Sequence, residues 1–240
     1  TKNDCPPSYG FQQPYSPVFG AYNRIWTRIA ELLSAGKYRA DTLVLYPAGL
    51  YALPCGSDIV PGFSAETEKD AKMSGVAEFE KEFLQMLLAL TRKHVGYDLG
   101  DESLIQKEAH VENGRLVLGS MSYSRVMLPV GVSPDPKTEG LLEIFRAGGG
   151  QICDASSLDA IPPVIPLSGK GTEEILVDVR DSASGTWIYL MNLSGRELFP
   201  ELTMSEPFRI YDPLAGRIFF SGKSLPSDFV LRDGACCVLT

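Results

Sequence analysis

Cys153 closes the run Gly148-Gly149-Gly150-Gln151-Ile152, two histidines stand at 94 and 110, and carboxylates gather at Asp98, Asp101 and Glu102. From such residues a thiol nucleophile, a metal pair or a glycosidase acid and base would be built. Each fails on its spacing. A nucleophile elbow needs a strand, a nucleophile between small residues, and then a helix whose amides form an oxyanion site. After Cys153 come Asp154, Ala155, Ser156 and Ser157, with no glycine, and no helix is expected until well past the prolines that follow. The sequence therefore assigns Cys153 to the core, buried and unreactive.

The other candidates read as structure too. His110 and Glu112 share a face of one hairpin strand, as a metal pair would, but a solvated hairpin accounts for them. No CxxC or HxxxH spacing occurs, so neither a metal site nor a cofactor is assigned. Asp98, Asp101 and Glu102 are neighbours on one loop, whereas a hydrolytic pair must face across a cleft. Asn192-Leu193-Ser194 has the glycosylation pattern but reads as a turn after a strand. The glycine run precedes a strand and does not open a helix, so it is no phosphate loop. No catalytic residue is named.

The elements that position these residues follow from periodicity. An arm rich in proline and aromatics runs to about residue 18 and is expected to lie extended. From Phe19, apolar positions at three- and four-residue steps predict a helix that stops at Gly36. Asp41-Thr-Leu-Val-Leu-Tyr-Pro47 reads as a strand buried on both faces, residues 48–75 as a long irregular connection, and 76–96 as a second helix. Asn113-Gly114 marks a two-residue hairpin, followed by a strand ending at Pro129, a helix over 137–147 and the strand Gln151–Ala155. This order predicts an α/β domain over 19–160: a doubly wound parallel sheet with right-handed crossovers. Past Ile161-Pro162-Pro163 the period changes to two, and residues 161–240 read as a small antiparallel, sandwich-like β unit.

In an open α/β sheet, ligands sit at the strand C-termini. The candidate crevice residues are therefore Tyr46, Pro47, Pro129, Val130 and Gly131. The net charge of −8 argues against nucleic acid as a partner, and no apolar run is long enough to span a membrane. Five cysteines without a paired framework favour a reducing, cytoplasmic compartment over secretion.

The phrases YNRIWTRIAELLSAGK, DTLVLYP, YDLGDESLI, GRLVLGSMSYSRVMLP, LLEIFRAGGGQI, WIYLMNLSG and IYDPLAGRI resemble the region after the catalytic barrel in large glycoside hydrolases. The resemblance is to the α-L-rhamnosidases of family 106; family 42 β-galactosidases carry a similar glutamine-amidotransferase-like domain. It implies a flavodoxin-like domain joined through the arm to a TIM barrel missing from this chain, with carbohydrate as the wider substrate class. Class I amidotransferases carry a glycine-flanked cysteine after the strand matching GGGQI; Cys153 departs from that pattern, so their activity does not carry over. The expected role is a non-catalytic scaffold or interface. The alternative is a stand-alone small-molecule-binding protein or enzyme that uses the crevice.

Overall fold

The computed structural model describes residues 11–46, 74–183 and 185–239. In chain order its elements are helix α1 (Phe19–Ser34), strands β1 (Lys37–Tyr38) and β2 (Thr42–Tyr46), helix α2 (Ser74–Arg92), β3 (Tyr97–Asp101), α3 (Glu102–Glu108), β4 (His110–Glu112), β5 (Arg115–Leu118), β6 (Met121–Tyr123), β7 (Arg125–Met127), α4 (Pro136–Ala147) and β8 (Gln151–Cys153). The antiparallel strands β9 (Ile175–Ser182), β10 (Gly185–Asn192), β11 (Thr203–Asp212), β12 (Arg217–Ser224) and β13 (Cys236–Leu239) follow. None of the described helices is long and apolar enough to cross a membrane.

The unit Tyr38–Pro166 is built on four parallel strands in the order β3-β2-β7-β8. Thr42 to Leu45 are all buried, as a strand covered on both sides requires. Leu43, Leu45 and Val126 point to one face, against Ile105 of α3 and Leu142 and Phe145 of α4. Val44 and Met127 point to the other, against Phe83, Met86 and Leu90 of α2. Alternation along β2 thus feeds two cores, and each large apolar side chain withdrawn from water contributes about 1.5–3 kcal/mol.

The antiparallel meander β4-β5-β6 precedes β7. Its first turn is the expected Asn113-Gly114 hairpin, with φ of 51° and 72° and Glu112 opposite Arg115. The glycine run after α4 has a packing role, because a Cβ on Gly150 would lie 2.2–2.4 Å from ring carbons of Phe145.

One side chain ties this unit together. Asp41 stands just ahead of β2; its backbone N–H donates to the carbonyl of Gly96, just ahead of β3, and its carbonyl accepts from the amides of Ser124 and Arg125, where β7 begins. Its carboxylate accepts from the Ser124 amide at 3.2 Å, from Arg125 Nη1 at 2.8 Å, and from the Ser124 hydroxyl and Arg115 Nη2. Arg115 brings in the meander, since it also donates to the Ser122 carbonyl. Burial raises the Asp41 pKa, but the hydrogen bonds from Ser124 and Arg115 and the Arg115 charge outweigh it and leave the group below its ordinary 3.8.

In the other unit, β9-β10-β13-β11-β12 form the body of a six-stranded sheet. Ile188, Leu239 and Ile210 lie in one row across it and are buried, while Tyr189, Val238 and Tyr211 form the next row on the opposite face. Asn192 ends β10 fully buried. Its Nδ2 donates to the carbonyls of Arg196 (2.7 Å) and Leu231 (2.8 Å), and its Oδ1 accepts from the Ser194 amide (2.9 Å). These bonds offset the loss of water around a fully buried amide.

Two expectations are corrected. The helix Phe19–Ser34 was placed in the α/β domain over 19–160, but it groups with the antiparallel strands, and the boundary falls between Pro166 and Leu167. The reason is specific: Arg28 Nη1 donates to the carbonyls of Pro213 and Leu214, whereas an amphipathic period says only that a helix packs, not on which sheet. The arm is not extended over its described part either. Residues 11–15 turn, Ser16–Val18 form a 3-10 helix, and the rings of Tyr15, Phe19, Tyr22 and Trp26 follow one another at centroid distances of 5.8–6.0 Å.

Asp41→Asn is expected to destabilise the protein by about 1–3 kcal/mol in urea melts at pH 7, a range that allows for the exposed part of the carboxylate. A depressed folded-state pKa contributes stability that is fully present above about pH 4 and is lost as pH falls through the folded value. The gap between wild type and Asp41→Asn should therefore narrow at pH 3. An equal gap at both pH values contradicts the assignment. Asn192→Ala, which removes three side-chain-to-backbone hydrogen bonds from a fully buried position, should cost about 2–4 kcal/mol; a loss under about 0.5 kcal/mol would show that these bonds are replaceable.

Candidate functional site

The four parallel strands all end at one edge, which brings together Tyr46, Asp101, the turn after Met127 and Cys153. From β2 the chain first builds β3 on one side and then crosses to build β7 on the other, so the order reverses beside β2. Tyr46 closes β2 opposite Asp101, about one-third exposed, with its ring 5.9 Å from that of Phe83. Pro129 is buried, Val130 is exposed, and Gly131 has φ 74° in a turn closed by the Val132 amide on the Pro129 carbonyl (3.2 Å). Pro47 and almost all of the 48–75 connection lie outside the described residues. The structure thus brings Tyr46, Pro129, Val130 and Gly131 to the edge beside the reversal. A groove of about 580 Å3 lies elsewhere in the unit, along α2 at Leu88, Arg92, Lys93 and Leu158.

The acidic residues near this edge hold turns in place. Asp101 caps α3, accepting from the Ser103 amide at 2.9 Å and from the Ser103 hydroxyl. Glu102 Oε1 accepts from the Asp135 amide at 2.8 Å, and Asp135 caps α4 through Lys137 N. Asp98 Oδ2 accepts from the buried Tyr123 hydroxyl at 2.9 Å; burial, with this bond and the Asp98 charge, pushes the Tyr123 pKa up. Asp154 caps the 3-10 helix Ala155–Ala160 through Ser156 N. Hydrogen bonds from Ser103 and from Ser156 lower the pKa values of Asp101 and Asp154. A glycosidase general acid needs its pKa raised, so these carboxylates are displaced in the wrong direction.

Cys153 pairs with Met127 at the end of β8 and packs half-buried against the second core. Burial raises its thiol pKa, with Arg125 opposing and Asp154 reinforcing. A 3-10 helix begins directly after it, where the sequence led us to expect no helix until past the prolines; Asp154 accepting from Ser156 N starts that turn. His110 Nε2 and Glu112 Oε2 stand 4.0 Å apart, both well exposed. Among the described residues no group of three His, Cys, Asp or Glu side chains is arranged to hold a metal. Cys236 and Cys237 are buried and unpaired with each other, and burial pushes the Cys237 thiol up to about 12.

No protein-family model and no curated protein matches the sequence. Solved structures do match it in fold. The rhamnosidase from Novosphingobium sp. PP1Y is similar over 98% of this chain and 25% of its own, at 15% identity and a TM-score of 0.58. The β-galactosidase from Bacillus circulans sp. alkalophilus is similar over 96% of this chain and 45% of its own, at 11% identity and a TM-score of 0.58. The likeness is one of fold. This chain thus spans a quarter of the first enzyme and less than half of the second.

Sequence reasoning missed the capping roles of Asp101, Asp135 and Asp154. The Asp-x-Ser and Asp-x-Lys spacings ahead of short helices are the signal that finds them. In the native protein, Cys153 and Cys237 should alkylate slowly at pH 7.5, and Cys237 should be the slower, as followed by peptide mass mapping. Modification of Cys153 at the rate of a free peptide thiol would contradict its packing.

Proposed function

We propose that this chain is the non-catalytic scaffold or interface portion of a larger carbohydrate-active enzyme, a glycoside hydrolase of the α-L-rhamnosidase type. In this reading the unit Tyr38–Pro166 is a flavodoxin-like, glutamine-amidotransferase-like domain. Residues 1–18 link this chain to a catalytic TIM barrel of the same polypeptide, which is its partner. The observation that carries the reading is the parallel order β3-β2-β7-β8 joined to an antiparallel unit, a combination similar in fold to parts of a rhamnosidase and a β-galactosidase over nearly all of this chain. Counted by parallel strands alone this order is 2-1-3-4, the start of the flavodoxin-like 2-1-3-4-5. The roles of Asp98, Asp101 and Glu102 as hydrogen-bond acceptors for a tyrosine and two helix starts support it further.

A second reading rests on a different observation, the reversal of strand order beside β2. Tyr46, Pro129, Val130 and Gly131, with Pro47, would then line a crevice for a small molecule in a stand-alone binding protein or enzyme.

The purified chain, assayed against aryl α- and β-glycosides with rhamnosides included, should give no turnover above background, because two carboxyl groups facing across a scissile bond are required. Turnover that disappears when Asp98, Asp101 and Glu102 are replaced by Ala would overturn the scaffold reading and favour the crevice.

A further inference from the structure

Helix α2 carries apolar side chains on two sides, and the fold of its own unit uses one of them. Phe83, Met86 and Leu90 are buried in the second core, whereas Leu84 and Leu88 on the outward side are 55% and 46% exposed. A helix that packs on one sheet needs a single apolar stripe. The outer leucines are not scattered. Glu80, Leu84, Leu88 and Arg92 follow one another every four residues and are all exposed, so they form one ridge along the helix. Beside it runs the row Lys81, Gln85, Ala89 and Lys93. Two hollows of about 350 and 580 Å3 lie end to end along the furrow between the rows and share Gln85 and Leu88. The larger one continues to Leu158, which extends its apolar floor.

The order of side chains on the ridge selects its occupant. From either end it reads charge, leucine, leucine, charge, and the two charges have opposite signs. When a second copy is laid antiparallel on the first, Glu80 falls beside Arg92 of that copy and Leu84 beside its Leu88. Each contact then occurs twice, as a self-complementary two-fold interface requires. A parallel copy would set Glu80 against Glu80 and Arg92 against Arg92. The flanking charges obey the same rule: Lys81 borders the Glu80 end of the furrow and the fully exposed Asp159 borders the Arg92 end, so an antiparallel copy brings them together as well. Lys93 is drawn aside, since its Nζ donates to the Leu158 carbonyl and lies 3.8 Å from Asp159 Oδ1.

We propose that the outer face of α2 is a homodimer interface, in which a second copy of this chain seats its Glu80–Arg92 ridge antiparallel in the furrow about a two-fold axis. Leu84 and Leu88 supply the apolar centre, and a Glu80–Arg92 pair closes each end. Ridges of four-residue spacing that interdigitate in this way are the commonest mode of helix packing. One helix face per copy is at the small end of specific interfaces, so the dimer is weak and reversible. The inference does not rest on the scaffold reading, because the ridge and its furrow lie wholly within the unit Tyr38–Pro166.

Sedimentation equilibrium of the purified chain at low salt, from about 10 to 500 µM, should show a monomer–dimer equilibrium with a Kd on the order of 100 µM. Leu88→Glu should abolish the dimer over this range while leaving the urea melt unchanged, since Leu88 is exposed in the monomer. Glu80→Arg and Arg92→Glu should each weaken self-association by about tenfold. An equimolar mixture of these two variants should recover the wild-type Kd to within about threefold, because the reversed charges then face one another across the axis. A heterologous or parallel contact would give no such recovery. A chain that stays monomeric throughout, a dimer that survives Leu88→Glu, or a mixture that associates no more tightly than its components would each overturn the proposal. Any of these results leaves the scaffold reading in place, and turnover in the glycoside panel leaves this one in place.

Discussion

The α/β unit depends on one constraint: two parallel strands must be started in register on either side of β2, with no short turn to set them. Hairpins fix register locally, but parallel neighbours arrive after long crossovers. Asp41 supplies the missing reference. Its backbone bonds to Gly96 on one side and to Ser124 and Arg125 on the other, and its carboxylate collects Ser124, Arg125 and Arg115. A slip of one residue in β7 would move Val126 and Met127 to the opposite cores and break these bonds together. The interaction is only partly shielded from water, so its contribution is specificity of pairing as much as free energy.

That reference at the strand starts decides what stands at the strand ends. With β2, β3 and β7 aligned, Tyr46 falls opposite Asp101 and the Pro129–Gly131 turn emerges beside them. The carboxylates nearby are then taken up in starting α3, α4 and the 3-10 turn after Cys153. Capping bonds thus fix these charges in place, and hydrogen bonds from Ser103 and Ser156 hold the Asp101 and Asp154 carboxyls below their ordinary range. The antiparallel unit shows the same economy. Asn192 spends its amide on two chain segments, and Arg28 ties α1 to the turn at Pro213 and Leu214.

Much of this was legible in the sequence. The strand Thr42–Tyr46, the hairpin at Asn113-Gly114, the helix before the glycine run and the change of period near residue 161 were visible because local rules set them: branched apolar runs, a turn dipeptide, a 3.6-residue repeat. β3 was not read as a strand, since Tyr-Asp-Leu-Gly-Asp mixes two carboxylates with a glycine and owes its conformation to pairing with β2. The short helix Glu102–Glu108 was missed for the same kind of reason: seven residues hold together through the Asp101 cap and the burial of Ile105. Asp41 was invisible, because its side-chain partners lie 74 to 84 residues away. Asn192 was read as a turn residue in a glycosylation pattern, and only the tertiary fold reveals that its amide faces inward. Of the candidate crevice residues, Tyr46, Pro129, Val130 and Gly131 could be placed at strand ends from the sequence, because strand ends are predictable once strands are; which sheet α1 joins could not, because that depends on the turn that Arg28 meets.

The most direct test of the account is amide hydrogen exchange followed by mass spectrometry on the wild type and Asp41→Asn under native conditions. If Asp41 sets the register, protection should fall in the segments carrying β2, β3, β7 and the meander over 110–123, while β9 to β13 keep theirs. Equal loss in both units, or unchanged protection around 97–101 and 125–127, would contradict the claim that this aspartate organises the parallel sheet.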